Sequence, residues 1–470
     1  MLQKPVLPPL TRREALRTMA NGFGMAAFGA VASSHLTAAP IVTTAGALEP
    51  KPTHFPSTAK RVIFIFLRGG LSQIDSFDRK PMLDKHDGKP LPYDVPRTEQ
   101  TTGNMMKSPF SWKTYGSNGI EVSELFPHVG EVIDEFCIIR SMISDIPNHG
   151  PSISMFQTGL SRPGRPSMGS WIVYGLGTEN QNLPGYVALN PGPGGGGTGN
   201  TGSAFLPAIY QGTPVPYVEK DPSKVIQYLS NAKLPLDAQR RQLDLLKQLN
   251  HLYLDRLESA PELEATIQSM EIAFRMQTAA PEVFDVRRES PASVAMYGDG
   301  DFARGCLMAR RLVENGVRIV QVFHGDWDHH ADINGHKFTS RQVDRPIAAL
   351  VRDLKQRDML KDTIVLVGTE FGRTPVVNLG GFRPVHNGRD HNNYGFTVLV
   401  AGGGFKPGTI YGATDDFGFK VADKPVHVHD LHATMLHALG LDHERLTYRY
   451  SGRDMRLTDV EGRVVKPLLA

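Results

Sequence analysis

A chain of 470 residues of which 40% are hydrophobic can bury a substantial core, which excludes extensive disorder. The formal net charge of +3 arises within residues 1–40, which carry four Lys or Arg residues and one Glu. The remainder is near neutral, so nothing in the overall charge favours a nucleic acid or an anionic membrane as partner.

The first 40 residues have the pattern of a twin-arginine export signal. Arg12 and Arg13 precede a weakly apolar, Ala/Gly-rich run, with small residues near Ala38. That run is too short and glycine-rich to span a bilayer, and no later run approaches the roughly 20 apolar residues of a transmembrane helix. We expect an exported protein, periplasmic or extracellular, with a signal over 1–40, a linker over 41–58 and no membrane span. The alternative is an arginine pair before a chance apolar helix.

Strand and helix patterns alternate along the rest of the chain. The predicted strands are RVIFIFL (61–67), CIIR (137–140), VRIVQVF (317–323), TIVLVG (363–368) and FTVLVAG (396–402). Their nearly continuous apolar character indicates cover on both faces. Helical periodicity recurs in FARGCLMARRLVENG (302–316) and RPIAALVRDLKQRDML (345–360). The pattern predicts one α/β domain over 59–465, with a mostly parallel central sheet flanked by helices.

Two segments interrupt this alternation. The amphipathic stretch from Asp237 to about Met276 lacks strand signals and breaks at Pro261, which predicts a helical insertion over about 225–285. The glycine-rich run at 190–202 has no flanking strand-to-helix pattern, so a surface loop is favoured over a phosphate-binding loop.

Cys137 and Cys306 both lie in apolar segments, FCIIR and GCLMAR. An oxidising compartment would permit a disulfide between them. Their surroundings favour two buried thiols in the core.

Polar clusters adjoin the predicted strand ends, where ligands gather in a doubly wound sheet. They are RGGLSQIDSFD (68–78), IPNHGPS (146–152), HGDWDHHADINGH (324–336), TEFGRTP (369–375) and GRDHNN (388–393). One such cluster alone reads as a polar loop that satisfies itself. Clusters at successive strand ends favour a shared site, because carboxylates and imidazoles from several loops can converge on one cation.

Two charged residues follow the predicted strand at 363–368, and each has two possible roles. Glu370 is either a metal ligand or half of a buried ion pair. Arg373 either binds an anionic ester or only neutralises Glu370.

Several motifs resemble a known bacterial family, the domain of unknown function 1501 family, over about residues 60–460. They are GGLSQIDSFD, NHGPS with PSMGSW, WDHH, EFGRTP, GRDHN and VHDLHATMLHALG. Members of that family typically carry a twin-arginine signal, are frequent in planctomycetes and are often described as sulfatase-like. The resemblance implies an alkaline phosphatase-like layered fold of the alkaline phosphatase and sulfatase superfamily.

The resemblance also implies site residues. HGPSISMFQTG (149–159) is similar to the sulfatase signature CSPSRASLLTG, which places His149 at the nucleophile position. By the same comparison, the expected metal ligands are Asp328, His330, His391, Glu370 and, with an uncertain offset, Asp75.

Two departures from the superfamily pattern argue against a full two-metal phosphatase mechanism. Phe371 stands where many members have a histidine ligand, and His149 replaces the usual serine, threonine or cysteine nucleophile. We therefore expect a single divalent cation (zinc, manganese or calcium). Ser152, Ser154 and Ser167 remain open as replacement nucleophiles.

The leading hypothesis is an exported metal-dependent hydrolase of sulfate or phosphate esters, either small molecules or glycans. The cation would polarise the ester, His149 would act as nucleophile or general base, and Arg373 or His329 would stabilise charge on the anion. The alternative is a non-catalytic protein that keeps its cation for stability or for recognising an anionic glycan. A weaker third hypothesis is a subunit of a larger polysaccharide-degrading assembly. The oligomeric state stays open.

The remaining residues of HGDWDHHADINGH have smaller expected roles. Trp327 is expected to be a packing anchor, and Asp332 and His336 ordinary loop residues. Asp326 and His329 are expected to support the ligands or to face the substrate.

Overall fold

The computed structural model describes residues 46–192, 200–222, 224–226, 229, 234–254, 261–380 and 386–470. The expected export signal over 1–40 and the centre of the glycine-rich run lie outside these residues. Among the described helices, none is both long enough and apolar enough to cross a bilayer.

Strands and helices are numbered here in chain order. The strands are β1 Arg61–Leu67, β2 Thr102–Met105, β3 Trp112–Tyr115, β4 Ile120–Ser123, β5 Phe136–Ile143, β6 Tyr186–Leu189, β7 Thr213–Val215, β8 Ile319–His324, β9 Thr363–Gly368, β10 Gly372–Asn378, β11 Arg389–Asn392, β12 Phe396–Ala401, β13 Thr409–Tyr411, β14 Ala413–Thr414, β15 Val421–Asp423, β16 Val426–His427, β17 Tyr448–Tyr450 and β18 Arg453–Met455. The α-helices are α1 Pro81–Lys85, α2 Pro127–Gly130, α3 His149–Thr158, α4 Met168–Leu176, α5 Leu236–Leu254, α6 Pro261–Phe284, α7 Pro291–Tyr297, α8 Asp301–Glu314, α9 His336–Gln356 and α10 Val428–Ala438.

A large, mostly parallel sheet forms the centre of the molecule. Within the described residues it has nine strands, in the order β13-β5-β12-β9-β1-β8-β6-β7 with β16 paired to β5. β12 runs antiparallel to both of its neighbours, and the other pairings are parallel. The predicted α/β fold with a mostly parallel central sheet is therefore confirmed.

Helices cover both faces of this sheet. Alternate residues of β1 point to opposite sides, Ile63 and Ile65 into one hydrophobic cluster with α8 and α9, and Phe64 into another with α3, α4 and α10. Cys137 and Cys306 lie in different clusters, buried and unpaired, as expected for core thiols.

The carboxyl ends of the parallel strands meet at one edge of the sheet. Leu67 of β1 pairs with His324 of β8, and the preceding Phe66 pairs with Gly368 of β9. Because β12 is antiparallel, its first residue, Phe396, lies at the same edge. The loops after β1, β5, β8 and β9 and the chain before β12 therefore meet there, as the polar clusters predicted.

The described residues form many more short strands and helices than the sequence patterns predicted, and two of the differences concern the central sheet and its cover. Helix α9 begins at His336, well before the predicted 345, because its first buried positions are His336, Thr339 and Ser340, which give no apolar periodicity. The short strands β6 and β7 were not predicted. β7 contains Pro214 and lies at the sheet edge, where a missing N–H is tolerated. Helices α5 and α6 lie within the stretch predicted as a helical insertion.

Candidate metal centre

Four potential ligands meet at the edge where the parallel strands end. They are His149 at the start of α3, Asp328 and His330 in the loop after β8, and His391 in β11. One ligand atom from each lies within 4.8 Å of the other three. These residues are called the His3Asp group below.

The atoms of the His3Asp group are spaced as the corners of a coordination site. Oδ1 of Asp328 lies 2.9 Å from Nε2 of His330 and 3.2 Å from Nε2 of His391, and the two ring nitrogens are 2.9 Å apart. Nε2 of His149 lies 3.4 Å from Oδ2 of Asp328 and is buried without a hydrogen-bond partner. A cation with ligand distances of about 2.0–2.2 Å fits such spacing, so the donor set suits a metal.

Two of the imidazoles have hydrogen-bond acceptors at Nδ1, which leaves the lone pair of Nε2 directed toward the site. Nδ1 of His149 lies 2.7 Å from Oε1 of Glu370. Nδ1 of His391 lies 2.5 Å from Oε2 of Glu99 and 2.6 Å from the Pro147 carbonyl oxygen. Because these acceptors hold the proton on Nδ1, a neutral ring keeps its lone pair on Nε2, as a metal ligand needs.

His330 has a different arrangement behind its ring. Its Nδ1 lies 2.5 Å from Nδ2 of Asn378. In this orientation of the amide, Nδ1 accepts a hydrogen bond, so the ring proton lies on Nε2, toward Asp328. A bound cation requires the other tautomer. Oδ1 of Asp390, buried without a hydrogen-bond partner and 3.7 Å from Nδ1, is placed to favour it.

The charges of the His3Asp group are strongly perturbed. Burial lowers the pKa of His149, but the carboxylates of Asp328 and Glu370 outweigh burial and raise it to about 9. Burial lowers the pKa of His391 to about 3. Burial would raise the pKa of Asp328, yet the neighbouring imidazoles and the Arg373 guanidinium hold it far below its ordinary range. Without a metal, His149 is therefore cationic at neutral pH and His391 is neutral.

Arg373 is buried beneath Asp328 with its donors directed into the protein. Nη2 donates to Oδ1 of Asp328 at 2.6 Å and to the Trp327 carbonyl at 3.2 Å. Nε and Nη1 donate to the carbonyls of Gly70 at 2.9 Å and Arg389 at 3.1 Å. Its side chain has 0% exposure, so the expected direct contact with a substrate anion does not fit this geometry.

Glu370 lies behind His149, outside the His3Asp group. It is fully buried, and its Oε1 accepts from the Gly69 N–H at 2.9 Å besides contacting His149. Gly69 has φ +120°, and a side chain there would come within 2.7 Å of the Asp328 backbone nitrogen. The glycine thus allows the loops after β1 and β8 to touch.

Asp75 does not join the His3Asp group either. It lies in a 3-10 helix, Gln73–Asp75, and its oxygens accept from Arg389 Nε at 2.7 Å, Arg389 Nη2 at 3.2 Å and the Ser72 hydroxyl at 2.5 Å. Asp75 and Arg389 both have 0% side-chain exposure. The expected ligand role does not fit, because a buried guanidinium already neutralises this carboxylate.

His329 and His336 form a separate pair on the other side of the loop. Their Nδ1 atoms lie 2.8 Å apart, and Nε2 of His336 accepts from the Ser72 N–H at 3.1 Å. His336 is fully buried, so its interpretation as an ordinary loop residue is wrong. Burial lowers the pKa of His329 to about 4, so this ring is neutral and does not offer a charge to an anion.

The three candidate serines are engaged elsewhere in buried positions. The hydroxyl of Ser152 donates to the Ile146 carbonyl, and that of Ser154 to the Arg162 carbonyl at 3.4 Å. Ser167 caps the start of α4.

Two aromatic side chains shape the site. The ring of Phe371 is buried 4.3 Å from the His391 ring and 4.9 Å from the His149 ring, measured between centroids. Trp327 is fully buried and donates from Nε1 to Nδ1 of His324 at 3.0 Å, as expected for a packing anchor. Phe371 thus fills the space beside these two imidazoles with an apolar ring that offers no metal donor.

The sequence patterns did not indicate Glu99 and Asn378, which contact Nδ1 of His391 and of His330. Glu99 lies in an irregular segment, and Asn378 lies at the end of β10. Neither belongs to a cluster of ligand-type residues, so only the folded arrangement identifies them.

Comparisons with known proteins identify a family. Residues 59–469 match the family described as "Protein of unknown function (DUF1501)". No curated protein sequence matches this chain.

Solved structures that align with this chain include the following three proteins. A phosphonate monoester hydrolase from Silicibacter pomeroyi aligns at 11% identity over 87% of this chain and 76% of its own, with a TM-score of 0.36. A sulfatase from Pseudoalteromonas sp. aligns at 12% identity over 88% and 72%, with a TM-score of 0.37. A protein in the alkaline phosphatase superfamily from Vibrio parahaemolyticus aligns at 11% identity over 89% and 74%, with a TM-score of 0.34.

Proposed function

The chain belongs to the DUF1501 family, and from that premise we propose that it is a metal-dependent, hydrolase-like protein acting on sulfate or phosphate esters, including esters of polysaccharides. Export through a signal over 1–40 is part of the proposal. The main support for this proposal is the His3Asp group. The group is open to solvent at Asp328, whose side chain is 45% exposed. A substrate ester can therefore approach the ligands.

The donor set ranks the candidate cations. Three imidazole nitrogens and one carboxylate oxygen suit zinc best and manganese next. Calcium suits them least, because it takes roughly six to eight oxygen ligands. When bound, a divalent cation polarises an ester oxygen and lowers the pKa of a coordinated water.

In the hydrolase, Asp328, His330 and His391 hold the cation and His149 is the acid–base group. His149 is the most exposed of the three imidazoles, at 29%, against 5% for His330 and 2% for His391. Glu370 fixes its Nδ1, and its buried Nε2 faces the other ligands, where it can give a proton to a leaving oxygen or accept one from water that reaches the cation. This is the geometry of a histidine oriented by a buried carboxylate.

The alternative function is a non-catalytic protein that binds an anionic glycan through its cation. The position of His149 Nε2 favours it, because a fourth protein ligand closes a tetrahedral site, as in structural zinc centres. The role of His149, as acid–base group or as fourth ligand, therefore separates the two functions.

The deciding experiment measures metal content, metal affinity and hydrolysis of 4-nitrophenyl sulfate and phosphate by the purified full chain. In the hydrolase, His149→Ala retains the cation and loses turnover. In the binding protein, wild type shows no turnover and His149→Ala loses the cation.

A matched pair of variants tests the site itself. Asp328→Asn should weaken metal affinity by more than about 100-fold, which exceeds the usual loss when a residue hydrogen-bonded to a metal ligand is removed. Asp332→Asn, four residues later and exposed, should bind as wild type does, because the asparagine oxygen can still accept from the Asn334 N–H. Equal affinity in Asp328→Asn and wild type would refute the metal site.

A further inference from the structure

Glu99 lies outside the His3Asp group but touches two of the elements that carry it. Its Oε2 lies 2.5 Å from Nδ1 of His391 in β11. Its Oε1 accepts from Nδ2 of Asn148 at 3.0 Å, and Asn148 directly precedes His149 at the start of α3. One carboxylate thus joins the strand that carries one imidazole to the helix that carries another.

The residue after Glu99 reaches the surroundings of the third imidazole. The backbone N–H of Gln100 donates to Oδ2 of Asp390 at 2.7 Å. The side-chain Oε1 of Gln100 accepts from Nδ2 of Asn378 at 3.1 Å. Asp390 and Asn378 are the two residues beside Nδ1 of His330. The Glu99–Gln100 pair, in an irregular segment between α1 and β2, therefore lies behind both buried imidazoles.

We propose that Glu99 is a positioning residue of the metal centre, which sets the tautomer of His391 and holds β11 against the start of α3. The inference rests on the proposed metal-dependent function. A neutral imidazole has one N–H, and an acceptor at Nδ1 places it there and leaves Nε2 free to coordinate. The Pro147 carbonyl can accept the same proton, but Glu99 adds a negative charge that makes the ring a stronger ligand.

The charge balance around the site supports this role. Glu99 and Glu370 contact ligand imidazoles, and Asp390 lies 3.7 Å from a third. Together with Asp328 these are four carboxylates, against two cationic groups that contact them, the Arg373 guanidinium and the protonated His149 imidazole. A divalent cation compensates this excess of negative charge, and removing Glu99 reduces the attraction.

The test compares Glu99→Gln with Asp94→Asn, which neutralises an exposed carboxylate five residues earlier in the same segment. Zinc titration calorimetry on the full chain should show about 10–100-fold weaker binding for Glu99→Gln, the range for outer partners of metal-bound histidines. Asp94→Asn should bind as wild type does. The unfolding temperature of the metal-free protein should fall by no more than about 4 °C in Glu99→Gln, because contacts of a side chain that is 32% exposed contribute little to stability. It should not change in Asp94→Asn.

Imidazole nitrogen NMR of the metal-free protein provides a readout independent of metal binding. Wild type should show His391 with its proton on Nδ1, and Glu99→Gln should show a mixture of tautomers. Zinc affinity equal to wild type together with an unchanged tautomer would overturn the role of Glu99. Wild-type protein that binds no metal would overturn the proposed function, and the NMR result would still decide whether Glu99 sets the tautomer.

Discussion

Arg373 donates from Nη2 to Oδ1 of Asp328 at 2.6 Å, and this oxygen also faces Nε2 of His330 at 2.9 Å. The guanidinium is fully buried, whereas the carboxylate is 45% exposed. A fixed positive charge therefore orients the most exposed ligand from below. The other carboxylate oxygen of Asp328, Oδ2, faces Nε2 of His149 at 3.4 Å.

Replacing Arg373 by lysine should destabilise the protein. Lysine keeps the charge but cannot reproduce the planar set of donors, so buried carbonyls at Gly70 and Arg389 lose their partner. We expect the free energy of unfolding in urea to fall by about 2–4 kcal/mol. Arg287→Lys, at an exposed pair with Asp285, should change it by less than about 0.5 kcal/mol. Equal losses in the two variants would show that the Arg373 contacts contribute nothing.

The metal-free protein should lose stability as the pH rises through about 9. The folded-state pKa of His149 is raised to about 9, above an unfolded value of about 6.5. The contribution is fully present below the unfolded pKa and disappears as the pH passes the folded pKa. Urea unfolding should show a decrease of up to about 3 kcal/mol between pH 6.5 and 9, missing in His149→Gln. Parallel curves for the two proteins would contradict the shift.

Sequence patterns predicted the strands and helices whose buried side chains are apolar. β1 and β9 occupy the predicted residues 61–67 and 363–368, because strands covered on both faces are continuous apolar runs. The first turns of α9 were missed, because polar side chains such as Thr339 and Ser340 fill its buried face. Hydrophobic periodicity cannot detect a helix whose buried side is polar.

The candidate site was predictable to the extent that its residues follow strands. Asp328, His330 and His391 were expected to converge, and the structure brings them together with His149. Asp75 has the same kind of position, but a strand-end pattern cannot distinguish a ligand from half of a buried ion pair. The contacts of Glu99 depend on the path of an irregular segment, which leaves no pattern in the sequence.

Phe371→His should allow a second cation to bind. The Phe371 ring is buried 4.3 Å from the ring of His391, so an imidazole there adds a donor next to the existing ligands. We expect the metal content, measured by mass spectrometry after equilibration with zinc, to rise from one to about two ions per chain. The smaller ring should cost about 1–3 kcal/mol of stability in the metal-free state. Phe371→Leu, which offers no donor, should stay at one ion. A stoichiometry of one for Phe371→His would mean that the other donors of a second site are missing.

Asp75→Asn should reduce stability without changing metal binding. The variant leaves the Arg389 guanidinium buried without its carboxylate, which typically costs about 3–5 kcal/mol. The double variant Asp75→Asn/Arg389→Gln removes both charges and should recover part of that loss, as measured by urea unfolding. Asp423→Asn, at an exposed pair with Lys424, is the control and should have little effect. Zinc affinity should equal that of wild type in every variant that folds. A drop in zinc affinity in the refolded double variant would instead make Asp75 a ligand.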